Sequence, residues 1–398
     1  MASEIEIAFW PRGPSGPEYF RSLLERYCQQ RRSAQIRATW LNEKNPWSDV
    51  SQTMIRKSGA DITEIGSTWV ESLVVTHSLR PFSAKEFQSF GGNDAFIQPA
   101  WAKGGDADFV YSIPNTVDAR HFYYRRDLLA KAGVDVETAF ATPQNFLQTL
   151  ERLKRAGIQS PLVMSINVAH MNLSFVASWI WDAGADFTNP TGNQATFDSP
   201  EAIAAIADYF RAAEYIAPEH RQMNVLDADT VFCEGNAAII LSGSWLFYRL
   251  HGVAEYAHVR ENLGIASPVG DTFRGGTHLV IWQHCVQQET ALDLIRFLTS
   301  AEVQADVSAR ASVLPARLEA TQFSPFANDP NYQMLVKTVL SGRSYGASPF
   351  WNIVEARLSN TLVQLWSEYF STAGVDANAF LALRLGALAR RINITLEE

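Results

Sequence analysis

The sequence predicts an α/β protein whose sheets are mainly parallel and covered by helices. Three observations point there. Short apolar strands alternate with helical segments from the first residues onward, which is the rhythm of β-α units. The breaks between them carry helix-start and helix-stop chemistry. Finally, 398 residues at 47% hydrophobic and 19% charged describe a chain that buries real cores, long enough for two to three domains.

Residues 4–10 alternate as a strand, and PRGPSGP (11–17) is a turn-rich loop that ends it. A helix over 18–32 follows, with Tyr19, Phe20, Leu23, Leu24, Tyr27 and Cys28 at helical spacing. Strand 35–41, the polar loop NEKNPWSD, a helix near 49–58 and strand 60–66 continue the alternation. In open α/β sheets ligands sit beyond the carboxyl ends of strands, so loops 11–17, 43–48 and 66–69 are candidate rim segments. Farther on, Thr142-Pro143 starts a helix that Gly157 ends, and Asp198-Ser199-Pro200-Glu201 starts another. Strand 161–167, helix 171–183, helix 227–234 and strand 237–241 lead to the strand-to-helix corner Gly243-Ser244-Trp245. Strand 263–267 and the extended stretch 273–282 precede helices at 289–299 and 301–310, and the tail 331–394 reads as helical.

The stretch YSIPNTVDARHFYYRRDL (111–128) is unusual. It is extended and apolar, yet carries Asp118 and Arg120, and bare burial of either charge is costly. With its continuation IPNTVDARHFYYRRDLLAKAG, it resembles the segment that crosses between lobes in sugar-binding proteins of ABC importers, the family that includes maltose-binding protein. EGNAAIILSGSWL (234–246) and DITEIGSTWVESLVVTHSLRPF (61–82) match two further motifs of that family, in the same order. The resemblance implies a two-lobed periplasmic-binding-protein fold of class II type, α/β throughout, with lobes joined by extended hinge crossings. It places an N-terminal lobe at 1–113 plus 279–320 and a C-terminal lobe at 114–278 plus 321–398, with crossings near 111–119, 273–280 and 311–325. Several extended crossings restrict motion to a hinge.

The resemblance implies capture of a sugar, polyol or short oligosaccharide in the interlobe cleft, with delivery to the permease subunits of an importer by a monomer. It implies no catalysis and no cofactor. Exported relatives begin with a signal peptide, which MASEIEIAFW lacks. The expectation is therefore a mature form, periplasmic or extracellular, associated with the membrane through its transporter.

Sugar sites need flat aromatic platforms beside planar charged hydrogen-bonding groups. The chain has 11 Trp, several of them in loops or helix starts. Asp118 and Arg120 are the first candidates for ligand contacts, against the alternative that they only pair with each other. Trp245 can lie flat under a ring or seal its helix to the sheet. Trp47 and Trp69 sit in loops with Asn45 and Ser67, as ligand platforms or loop anchors. Gly276 and His278 belong to a Gly-Gly-Thr-His run that allows close backbone approach to a ligand or simply a strand bend. Trp351 stands where the family closes its pocket from the second lobe, Trp179 is a candidate although it and Trp181 cannot both face the same way and one of the two is core, and Arg12 lies in the first loop. Asn115-Thr116 replaces an aromatic common in relatives, which leaves the size of the sugar open.

A formal net charge of -9 argues against nucleic acid or an anionic membrane surface as partner. Three widely spaced cysteines and the absence of CxxC or HExxH motifs argue against disulfides and metal sites. Arg12, Arg120, Arg274 and His278 would support a rival ligand, a phosphorylated polyol or other charged solute. A glycoside hydrolase needs a carboxylate pair at defined separation, which no spacing in the sequence supplies.

Overall fold

Residues 3–10, 16–31, 34–42, 45–97, 109–311, 313–346, 348, 350–372 and 374–397 are described by a computed structural model of the chain. Contacts divide it into unit 1 (Met1–Asp118 and Gly275–Val336) and unit 2 (Ala119–Arg274 and Lys337–Glu398). Its strands are β1 (Ser3–Phe9), β2 (Ala34–Trp40), β3 (Ile62–Gly66), β4 (Ile113–Ala119), β5 (His121–Arg125), β6 (Leu162–Val163), β7 (Ile239–Ser242), β8 (Leu263–Ala266), β9 (Arg274–Ile281) and β10 (Leu314–Pro315).

Unit 1 holds a six-stranded sheet in the order β10-β4-β9-β3-β1-β2. The strand β1 runs parallel to β2 (Ile5 opposite Ile36) and to β3 (Ile7 opposite Ile62), as the β-α rhythm predicts. However, β9 is antiparallel to β3 (Thr63 opposite Val280), and β10 is antiparallel to β4. Unit 2 has the order β6-β7-β5-β8, with β6 parallel to β7 and β5 antiparallel to both its neighbours. The sheets are therefore mixed and not mainly parallel. A helical crossover packed on the same sheet forces parallel pairing. The strand β9 instead reaches its sheet after the long run of unit 2, so no crossover rule sets its direction.

The expected helix starts are present. Thr142 Oγ1 accepts from Asn145 N at 3.1 Å and Ser199 Oγ from Ala202 N at 3.2 Å, each followed by Pro at the first helical position. The third passage between units falls after Val336 and not within 311–325. The segment 311–325 stays with unit 1 because Leu314 pairs with Val117 and Arg317 N donates to the buried Gln304 at 2.7 Å.

Each unit has its own core. Unit 1 packs Leu41, Val50, Ile65, Val70, Leu73, Leu79, Val280 and Trp282 together. In unit 2 the helix Ala169–Asp182 is buried on nearly every side, lying among Phe146, Tyr209, Leu362, Trp366 and Leu385. No helix among the described residues is long and apolar enough to cross a membrane.

Candidate functional site

In unit 1 the ends of three parallel strands bring indoles together. Trp10 follows β1, Trp47 opens the helix Pro46–Arg56 after β2, and Trp69 closes the turn after β3. Trp10 and Trp69 stack with centroids 5.4 Å apart, and Trp47 meets Trp69 edge-on at 5.3 Å. All three are half-buried, so each covers core on one side and keeps surface on the other. This is the rim that open α/β sheets use for ligands.

Beside them lies Glu64, fully buried in β3. Its Oε2 accepts from Trp10 N at 3.0 Å, and its Oε1 accepts from Asn115 Nδ2 at 2.9 Å and from the Thr277 hydroxyl. Thr277 also meets Thr116, their hydroxyls 2.8 Å apart. A buried carboxylate needs such partners, and this one ties β1, β3, β4 and β9 to a single point. Asp118 is the one residue of β4 that is not buried.

Several expected site residues have other work. Asn45 is exposed and caps its helix, its Oδ1 accepting from Ser48 N at 3.3 Å. Ser67 is half-buried in the turn that carries Trp69. Gly276 has φ +145° and lies so close to β4 that an added Cβ would stand 2.1 Å from Thr116 O, so the missing side chain serves strand packing, not ligand approach. His278 is 1% exposed, with Nδ1 2.7 Å from Ser112 Oγ, and burial pulls its pKa down to about 4. The neutral imidazole is part of the core. Arg12 lies outside the described residues.

In unit 2 Arg120 is 7% exposed. Its Nε donates to Ser174 Oγ at 2.9 Å, and its guanidinium lies 5.3 Å from the Trp245 ring centroid, 5.5 Å from Phe273 and 6.0 Å from Phe175. A weakly hydrated, planar cation suits such a box of rings. Trp245 is half-buried at the head of its helix, its Nε1 donating to Asp229 Oδ2 at 2.9 Å. Trp179 and Trp351, by contrast, are 2% and 3% exposed. Trp179 meets Phe146 and Tyr209 edge-on, and Trp351 stacks on Tyr345 at 4.3 Å. Both are core residues. Sequence reasoning missed Trp10, Glu64 and Asp229. The trace that Glu64 left was a lone charge inside a short strand.

The candidate groups thus form two clusters, indoles with a carboxylate network in unit 1 and a caged guanidinium with an indole in unit 2. Both combine flat faces with fixed hydrogen-bonding groups, which is equipment for binding. The fold is shared with solved proteins of low sequence identity. The GacH receptor of Streptomyces glaucescens, solved unliganded and with acarbose, aligns over 98% of both chains with a TM-score of 0.80 and 16% identity. UgpB of Mycobacterium tuberculosis, solved with glycerophosphocholine, aligns over 98% of both chains with a TM-score of 0.78 and 18% identity. A Brucella abortus protein described as a binding protein is 19% identical over 336 residues, which is 81% of this chain and 79% of its own. These likenesses show the two-lobed α/β fold of solute-binding proteins. The sequence profile of bacterial extracellular solute-binding proteins matches residues 45–334, and the chain belongs to that family.

Proposed function

We propose that this protein captures a neutral carbohydrate or sugar-like polyol for an ABC importer, without transforming it. The observation that carries the reading is the joint presence of the Trp10-Trp47-Trp69 cluster in unit 1 and Trp245 with Arg120 in unit 2. Indole faces stack on the C–H faces of sugar rings, and Asp118 and Arg120 suit hydroxyls. Ligand contacts that exist in one conformation and not in another shift the population toward the first. A permease would read that conformation, and in this reading the protein works as a monomer in the periplasm or outside the cell.

A charged solute is the second reading, and glycerophosphocholine in the UgpB structure gives it substance. The side chains favour the neutral one. Arg274 Nη1 donates to Val339 O at 3.3 Å, at the end of the helix Pro330–Ser341, and His278 is internal and neutral. Among the described residues proposed for an anion, Arg120 is the one seated among candidate ligand platforms.

Thermal-shift screening against mono-, di- and trisaccharides and polyol phosphates tests this. A ligand at a hundred times its Kd adds about 2.7 kcal/mol, or about 5–10 °C for units of this size. Stabilisation by a neutral sugar, insensitive to salt, is the expected result. Stabilisation by a polyol phosphate alone, weakening as salt rises, would overturn it.

A further inference from the structure

Trp245 is held from three directions. Its benzo edge lies across Gly243, where an added Cβ would stand 2.0 Å from Cζ3. The Arg120 guanidinium sits over the ring at 5.3 Å. Its indole N–H is fixed by Asp229 Oδ2 at 2.9 Å, while the other oxygen of that carboxylate accepts from Ser242 Oγ at 2.9 Å.

Asp229 is an expensive residue in its position. It is 3% exposed on the helix Val225–Cys233 and makes no ion pair among the described residues. The cation whose charge acts on it, Arg249 on the Trp245 helix, spends Nη1 on Leu226 O at 3.0 Å and Nη2 on Thr230 Oγ1 at 2.6 Å. Burying a carboxylate against neutral donors alone costs stability, and an apolar side chain of the same shape would fill the space with no such cost. What the carboxylate supplies is a charged acceptor. It makes a bond to an indole N–H roughly twice as strong as a neutral one, and it defines the ring's rotation about its side-chain torsions. The bonds of Arg249 also lock the Asp229 helix to the Trp245 helix, so acceptor and ring cannot drift apart.

We infer that Asp229 is a positioning residue for ligand binding, its buried carboxylate holding the Trp245 indole with one face presented to a sugar ring. This rests on the reading that Trp245 is a stacking platform. The residue need not touch the ligand. It fixes in advance the orientation of the surface on which the ligand stacks, which lowers the ordering cost at binding.

The test reads the indole N–H directly. In protein labelled with 15N at its indoles, the Trp245 signal is the one lost in Trp245→Phe. The expected result in the wild type is solvent exchange of that proton at least tenfold slower than for free tryptophan, with the protection lost in Asp229→Leu, which keeps the shape and removes the acceptor. Exchange as fast as free tryptophan in the wild type overturns the inference, even if Asp229→Leu does not fold. Unchanged protection in a folded Asp229→Leu overturns it as well. The sugar reading fails separately. Should the N–H be protected through Asp229 while no saccharide in the thermal panel stabilises the protein, the link from Asp229 to the indole stands and the assignment of Trp245 as a sugar platform falls.

Discussion

Replacing Gly276 with alanine should unfold unit 1 far more easily, and the structure gives the size of the effect. The residue sits at φ +145°, a region that side-chain-bearing residues rarely adopt, at a cost of about 1–3 kcal/mol. The added Cβ would stand 2.1 Å from Thr116 O and 2.9 Å from Val117 Cα, well inside ordinary contact, and both are backbone atoms of β4 that cannot swing away. Overpacking of that kind costs about another 1–3 kcal/mol, for a total near 4 kcal/mol. Gly59 is the control in the same unit: its φ is +115°, but its nearest foreign atom would be 3.6 Å away, so Gly59→Ala carries the conformational cost alone. Urea unfolding followed by tryptophan fluorescence, to which Trp10, Trp47, Trp69 and Trp282 of unit 1 contribute, reads both variants. Gly276→Ala should lower the midpoint by about 1–2 M, at least twice the effect of Gly59→Ala. Equal midpoints would show that β4 and β9 are not packed as closely as described, and would reopen a ligand role for this glycine.

Asp118→Ala should weaken binding of the stabilising sugar by about ten- to a hundred-fold in calorimetry while leaving the melting temperature of the free protein in place. Trp69→Ala removes the ring against which both Trp10 and Trp47 pack, and should weaken binding by about three- to ten-fold. Glu64→Leu strips the acceptor from Trp10 N, Asn115 and Thr277, and should destabilise unit 1 by about 3 kcal/mol in the same urea assay. Asp229 makes stability depend on pH: burial pushes its pKa up to about 6 from 3.8, so the folded state holds the proton more tightly. Its cost is absent below the ordinary value, appears as pH rises through 3.8 to 6 and is complete above, about 3 kcal/mol in all. In Asp229→Asn that component of the stability profile should be flat from pH 4 to 8, and a variant profile parallel to the wild type would contradict it.

The helix starts were legible because capping is local. Thr142 and Ser199 find their partners within three positions. Glu64 was not legible. Its burial makes sense only with Asn115 and Thr277, 51 and 213 positions away, and no local pattern announces such a meeting. Trp179 misled for a different reason. Its helix is buried on nearly every face, so the periodicity that separates an inward side from an outward one is missing. Trp351 follows breakers and looks like a loop residue, yet Tyr345 and Phe187 enclose it. The direction of β9 depended on where the chain came from and not on its own composition.

The strand order of unit 1 interleaves early and late chain, since β3 lies between β1 and β9, and β9 between β3 and β4. A ribosome releasing this protein from its N-terminus therefore delivers β1 to β3 with one flank open, and that flank stays uncovered until residue 281 has emerged. Meanwhile Glu64 lacks the Thr277 hydroxyl, and Trp282 has not yet reached Thr63, with which it bonds at 2.8 Å. All four strands of the other sheet have appeared by residue 266, so that sheet can assemble while the first is still half-built. During synthesis the nascent chain must carry an unpaired apolar edge for some two hundred residues, which makes β3 a segment for a chaperone to cover.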